Sequence, residues 1–345
     1  MVATRAEVAL RAGVSPAVVS YVTNPGTRSV SAAARARVEE AIATLGYRPN
    51  AVAQSLRRSS TKSIAFIVPT LRNPTLAAVE ADVEKIAFDL GYALFVATTT
   101  NDPGREERYL QRFMERKVDA LIVAGTLRPN LLAEVAAHRV PVVALGAISS
   151  GLGVSSITLE PYQSTARAIR HLIEDHGHRR IACIGGPETQ SLVRLRMDAW
   201  RETLRAEGLA CDESLLIRPL HMNRSAGYNA AHLLLAQSMP TAIFTVDETL
   251  AAGAISAIHE HGLRVPKDVS LITWGRSERV QGDLFDLTSI DIQTTAVAAK
   301  LMSRLLELMA SKKLVETHDV LFPTLTFRTS CGCPPANKNV AELSR

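Results

Sequence analysis

The chain has 345 residues, of which 47% are hydrophobic and 21% charged, with a formal net charge of +5; that length allows more than one domain with a core of its own. Its apolar runs, such as IAFIV at 64–68, are far too short to cross a bilayer, and charges at Arg5 and Glu7 stand where a secretory leader would be apolar, so a soluble cytoplasmic protein is expected. The charge is unevenly placed: residues 1–62 carry nine Lys and Arg against three Glu, a net +6, while the other 283 carry 30 basic and 31 acidic groups. A basic head on a near-neutral body is the electrostatic footprint of polyanion binding.

The head is punctuated like a set of short helices. Thr4-Arg5-Ala6-Glu7 has capping-box spacing, so a first helix should start there, carry Val8, Ala9 and Ala12, and stop at Gly13. Ser15 suits an N-cap and Pro16 the first helical position; Val18, Val19 and Val22 then form an inward stripe that ends at Asn24-Pro25-Gly26. A third helix should run from Ser31 to Leu45, with Val38, Ile42 and Leu45 on one face and Gly46 as its stop. Two short helices joined by a tight turn, with a third to close the core, make a helix-turn-helix arrangement. Its second helix would enter the DNA major groove with Ser15, Pro16 and Ala17 leading and Ser20 and Tyr21 one turn on.

The segments EVALRAGVSPAVVSYVTN and VSAAARARVEEAIATLGYRPNAVAQSLR, with spaced motifs through residues 3–330, resemble the LacI/GalR family of bacterial transcriptional repressors. The resemblance implies a hinge helix at about 50–58, NAVAQSLRR, that orders on operator DNA, with Leu56 of each subunit wedged into the minor groove. Such a segment is too short to be a stable helix in water by itself, which fits folding coupled to binding. Further DNA contacts are implied at Asn24, Tyr47, Asn50, Ala53 and Arg57. Many relatives carry an arginine where this chain has Tyr21; tyrosine cannot read guanine bidentately, so the operator does not follow from the family's usual half-site.

Beyond Lys62 the pattern is of buried strands alternating with amphipathic helices. SIAFIVP (63–69), YALFVATT (92–99), VDALIVAG (118–125) and PVVAL (141–145) are near-continuous apolar runs, as expected of parallel strands covered on both faces. After a Gly/Ser-rich stretch at 149–156 the pattern restarts with RRIACIGGP (179–187), TAIFTV (241–246) and VSLITW (269–274). A late strand and helix at about 287–312 and a terminal strand at about 320–327 complete two α/β lobes. The expected architecture is therefore an all-α helix-turn-helix head on a body of two doubly wound lobes, similar to the periplasmic-binding-protein fold that the family shares.

The boundaries expected are a DNA-binding domain at 1–48, a hinge helix and linker at 49–61, an effector-binding and dimerisation domain at 62–330, and a flexible tail at 331–345. Lobe 1 would take about 62–159 and 291–319, and lobe 2 about 160–290 and 320–330. The tail has no leucine heptads, so no tetramerising coil is expected.

Small ligands in open α/β sheets bind beyond the carboxyl ends of the strands, which points to the cleft between the lobes. Effector contacts are expected at Asn73, Thr75, Arg196, Met222, Asp247, Trp274 and Arg276, of which Arg196 matches the effector-contacting arginine that the resemblance implies. Two carboxylates that sugar-responsive relatives carry are replaced here by Gly146 and Gly275, while Arg276 adds a guanidinium. An anionic or amide-bearing effector is therefore expected over a neutral hexose.

Other chemistries find little footing. IGGPETQS at 184–191 lacks a dinucleotide fingerprint, no phosphate-binding P-loop occurs, and no catalytic constellation follows from spacing, so neither a cofactor nor an enzyme activity is expected. Cys183, Cys211, Cys331 and Cys333 lack paired CxxC spacing, which fits a reducing compartment, and are expected to be structural or incidental. His176-Gly-His178 and His259-Glu-His261 are expected at solvent-facing helix ends, with no metal. The reading is a homodimeric repressor of a palindromic operator on double-stranded DNA, controlled by a small molecule. A solute-binding protein of the same body fold is the alternative, disfavoured by the basic head.

Overall fold

The computed structural model describes residues 3–23, 29–48, 60–100, 102–125, 129–146, 148, 151–275, 286–311 and 315–334. Asn24, Asn50, Ala53, Leu56, Arg57 and Arg276 lie outside the described residues, as do the hinge segment and the chain from 335 onward. Residues 1–62 and 63–345 form two separate compact units.

The head unit contains α1 (Arg5–Ala12), α2 (Pro16–Thr23) and α3 (Ala32–Leu45). The capping box is formed in full: the Thr4 hydroxyl accepts from the Glu7 amide, and the Glu7 carboxylate accepts from the Thr4 amide at 2.7 Å. Gly13 ends α1 at φ 60° and Gly46 ends α3 at φ 60°, a left-handed conformation that costs glycine nothing. Val8, Val19 and Val38, one from each helix, are fully buried and form the centre of the small core, with Ile42, Leu45 and Tyr47 packed at its margin.

The body unit holds two six-stranded sheets. Lobe 1 is built from β1 (Ser63–Val68), β2 (Ala93–Thr98), β3 (Ala120–Ala124), β4 (Val142–Leu145), β5 (Ser155–Leu159) and β11 (His318–Leu321), in the order β11-β5-β4-β3-β1-β2. Lobe 2 is built from β6 (Ile181–Ile184), β7 (Leu216–Ile217), β8 (Ala242–Thr245), β9 (Ser270–Trp274), β10 (Thr288–Asp291) and β12 (Thr324–Thr326), in the order β12-β10-β9-β8-β6-β7. Both sheets thus repeat one doubly wound order, and each receives one late strand. β11 joins β5 in parallel and β12 joins β10 antiparallel.

Crossover helices cover the sheets: α4 (Pro74–Asp89), α5 (Pro103–Glu115), α6 (Pro129–Ala137) and α11 (Thr294–Ala310) in lobe 1. In lobe 2 they are α7 (Tyr162–Glu174), α8 (Ser191–Ala206), α9 (Arg224–Gln237) and α10 (Glu248–Glu260). Phe66 and Ile122 face one side of the lobe 1 sheet with Leu301 and Leu305 of α11, while Ile67 and Leu121 face the other with Phe113 and Leu132. Trp200 anchors lobe 2, fully buried, with its indole N–H donating to the Ile181 carbonyl at 3.2 Å.

Three expectations need correction. The run at 92–99 is a strand but not a covered one: β2 is the sheet edge, and Phe95 and Val96 are exposed. The terminal strand expected at 320–327 is two strands, β11 and β12, in different lobes, because the chain crosses between sheets at Phe322 and Pro323. β11 accordingly carries lobe 1 as far as Leu321. Cys331 and Cys333, expected in a flexible tail, are packed on lobe 2: a 3-10 turn at Thr329–Cys331 buries Ser330 and Cys331, and Ser330 Oγ donates to the Leu271 carbonyl at 2.6 Å.

α9 and α10 cross so closely that glycine is required on both. A Cβ at Gly253 would stand 2.0 Å from the Arg224 carbonyl oxygen, and one at Gly227 would stand 2.1 Å from that of Leu250. Helix propensity alone would favour alanine at Gly253 by about 1 kcal/mol. The backbone overlap reverses that sign, so Gly253→Ala should destabilise the body by about 1–3 kcal/mol. Urea unfolding beside Gly227→Ala, expected to behave alike, checks it; an unchanged or raised midpoint would refute the packing argument.

Candidate effector cleft and nucleic-acid interface

In the head, Ser15, Pro16 and Ala17 are exposed at the start of α2, and Ser20 and Tyr21 are half-exposed one turn later. Ser15 caps α2, with its hydroxyl accepting from the Val18 amide at 3.4 Å. Ser20 is already engaged, because Arg5 donates to its hydroxyl at 3.0 Å and so links α1 to α2. Tyr47, expected at the phosphate backbone, also packs on the head core, so its ring braces the fold.

In the body, five of the expected effector residues gather where the carboxyl ends of the lobe 2 strands meet the start of α4. Asn73 N-caps α4, its Oδ1 accepting from the Leu76 amide at 2.8 Å. Asp247 N-caps α10 with Oδ1, which accepts from the Thr249 amide at 2.8 Å and from the Thr249 hydroxyl. Each cap then uses its second atom across the lobes: Asn73 Nδ2 donates to Asp247 Oδ2 at 2.8 Å. Glu248 adds a second bridge, its Oε1 accepting from the Thr75 amide at 3.1 Å and the Thr75 hydroxyl at 2.8 Å.

The chemistry of this latch follows from helix ends. Thr75 lies in the first turn of α4, where amides have no intrahelical partner and the dipole favours negative charge, so a carboxylate is the natural guest. Lobe 2 supplies it as Glu248, which sequence reasoning did not place among the site residues. Gly275 belongs to the same contact: its φ is +78°, and a Cβ there would stand 3.1 Å from Thr75 Oγ1. A side chain at this position would adopt a strained backbone conformation and press on the Thr75 hydroxyl.

Behind the latch lies Arg196 of α8. Its Nη1 donates to the Val246 carbonyl at 2.8 Å, and its Cζ sits 4.0 Å from the centroid of Trp274, within cation–π range. Burial pushes the guanidinium pKa down to about 9, and the neighbouring Asp247 pulls it back up. Burial likewise raises the Asp247 pKa, against hydrogen bonds from Thr249 and the nearby Arg196 that lower it. Arg196 Nε and Trp274 Nε1 are both buried without a hydrogen-bond partner among the described residues. Met222 packs on lobe 2 just past the carboxyl end of β6, where its Sδ would lie 3.1 Å from a Cβ at Gly186.

Residues 4–50 match the family described as bacterial regulatory proteins, lacI family, and residues 169–331 match the periplasmic binding protein-like domain. An HTH-type transcriptional repressor PurR of Pectobacterium carotovorum subsp. carotovorum is 33% identical over 342 residues, covering 96% of this chain and 98% of its own. The chain belongs to the lacI family. The HTH-type transcriptional regulator DegA of Bacillus subtilis is 30% identical over 270 residues, covering 77% of this chain and 79% of its own. A crystal structure of the lac repressor dimer bound to operator and the anti-inducer ONPF matches at TM-score 0.83 with 27% identity, over 96% of this chain and 99% of that one. This lacI-family member is accordingly a helix-turn-helix, DNA-binding transcriptional repressor with a two-lobed periplasmic-binding-protein-like body. No described helix is long and apolar enough to cross a membrane.

Proposed function

We propose that this repressor acts as a homodimer on a palindromic operator and is controlled by an anionic or amide-bearing small molecule held between its lobes. The observation that carries the effector class is the buried guanidinium of Arg196, stacked on Trp274 with Nε unpartnered among the described residues and one carboxylate beside it. A buried cation so placed gains most from a ligand carboxylate, phosphate or amide oxygen. Asn73, Thr75, Asp247 and Trp274 would line the rest of the site, with Met222 at its margin and Arg276 adding positive charge.

The dimer reading draws on the exposed edge of lobe 1, where Phe95 and Val96 of β2 and Phe88 of α4 face solvent. The operator-bound dimer of the lac repressor supports the same stoichiometry here. A twofold dimer reads a twofold operator, with Ser15, Pro16, Ala17, Ser20, Tyr21 and Asn24 in the major groove. Tyr47, Asn50, Ala53 and Arg57 would serve the backbone and hinge, and Leu56 the central wedge.

Selection of bound DNA from a random pool by the full chain tests the function. A short palindrome should emerge, bound at least about 1,000-fold more tightly than random DNA. Leu56→Ala should weaken that preference by about tenfold or more, since the wedge contributes a few kcal/mol of deformation-dependent contact. Weak, salt-sensitive binding with no enriched palindrome would overturn the reading.

A thermal-shift screen tests the effector class. Small carboxylates, phosphates or amides should raise Tm in the wild type and not in Arg196→Gln. Stabilisation by neutral sugars alone would contradict it.

A further inference from the structure

At the opposite pole of lobe 2 from the cleft, two histidines and two cysteines converge. His171 lies in the last turn of α7, His176 follows in the loop before β6, and Cys331 and Cys333 come from the segment after β12. One ligand atom from each lies within 4.8 Å of all the others. His171 Nε2 is 3.4 Å from Cys331 Sγ and 3.5 Å from Cys333 Sγ; His176 Nε2 is 3.4 Å from Cys333 Sγ and 3.1 Å from His171 Nε2.

We infer that these four side chains form a structural zinc site that fastens the C-terminal segment to lobe 2. These four separations, of the six a tetrahedron has, are close to a tetrahedral site's edges. Zinc–nitrogen bonds of about 2.0–2.1 Å and zinc–sulfur bonds of about 2.3 Å imply N···N separations near 3.3 Å and N···S separations near 3.5 Å. Two thiolates and two imidazoles are also the donor set for a borderline-soft, tetrahedral divalent ion.

The surroundings prepare the ligands. His171 Nδ1 is 2.6 Å from Asp175 Oδ2, so the Nδ1–H donates to the carboxylate and the Nε2 lone pair is left facing the sulfurs. That carboxylate–histidine arrangement is the usual way to fix the tautomer and orientation of a metal ligand. Thr288 Oγ1 stands 3.0 Å from Cys331 Sγ, and His171 and Cys331 are buried. Gly332, between the cysteines, has φ +100°, and a Cβ there would meet the His176 ring at 3.2 Å. Glycine at this position lets both thiols of Cys-Gly-Cys turn toward the same point.

The role is structural because the location is remote from the cleft. Cys331 packs on the amino ends of β9 and β10, with Ser270 Oγ donating to its carbonyl at 3.3 Å, while Trp274 ends β9 at the cleft. The site joins residues 160 and 162 positions apart in the chain. Such a crosslink restricts the unfolded chain much as a long-loop disulfide does, without needing an oxidising compartment. On binding, each cysteine that begins as a thiol releases its proton to solvent.

The test uses the full chain without an affinity tag, produced in zinc-supplemented medium and dialysed against metal-free buffer. About one zinc ion per chain should remain by elemental analysis. Cys331→Ser and Cys333→Ser should each lose most of it, and Cys211→Ser, a thiol outside the cluster, should keep it. Wild-type protein stripped with a chelator should melt lower than the zinc form. Titrated with cobalt(II), it should show intense tetrahedral absorption saturating at one equivalent, with a thiolate charge-transfer band. Wild-type protein with less than about a tenth of an equivalent of zinc and no saturable cobalt spectrum would overturn the inference. So would a Cys331–Cys333 disulfide, seen as a chain lighter by two hydrogen atoms. If the serine variants do not fold, the wild-type zinc content and cobalt titration decide alone.

Discussion

Two helix N-termini, one from each lobe, meet at the cleft, and the side chains that cap them, Asn73 and Asp247, also bind each other. Bringing two positive helix ends together is unfavourable unless negative charge stands between them. Asp247 and Glu248 provide it. Asp247 divides its oxygens between its own helix and Asn73, while Glu248 gives its carboxylate to the first turn of α4. Each intrahelical cap survives if the lobes part, because the atoms that cap are not the atoms that bridge. The contact can therefore open and close without unfolding either helix.

In the proposed reading, Arg196 ties this contact to ligand chemistry. Its guanidinium is buried beside Asp247, so any ligand that pairs with Arg196 changes the electrostatic setting of a residue that bridges the lobes. A ligand that binds one lobe arrangement better than the other then shifts the population by that difference and by nothing more. In the proposed reading, this differential binding is the source of the coupling between effector and operator. The zinc cluster would serve the same body differently, by holding the far pole of lobe 2 together while the cleft end works.

Local features of the fold were legible in the sequence because their signals are local. Thr4 with Glu7, Ser15 with Pro16, and the stops at Gly13 and Gly46 mark the head helices through contacts of a few residues. The strands of the body stood out as apolar runs, but such runs do not distinguish a central strand from an edge, which is why β2 reads as buried and is not. The crossing at Phe322 and Pro323 is short, so two strands of different sheets merge into one apparent strand.

Site residues divided in the same way. Asn73, Thr75, Arg196, Asp247 and Trp274 were reached through the family resemblance, and the fold brings them together. Glu248 escaped because its partner is 173 residues away, and a helix-start glutamate has an adequate local explanation. The grouping of His171 and His176 with Cys331 and Cys333 escaped for the same reason: the two histidines do have zinc-ligand spacing, but the Cys-Gly-Cys pair does not and stands far along the chain, and only the packing of the C-terminal segment unites them.

The most direct test of the central claim is the operator affinity of the full chain with the interlobe contact weakened by Thr75→Val and Glu248→Gln, singly and together. If this contact governs the lobe equilibrium that operator binding senses, affinity should change about 5-fold or more, non-additively in the double variant, with the head sequence untouched. An affinity equal to wild type in all three variants, with their bodies folded, would contradict the account.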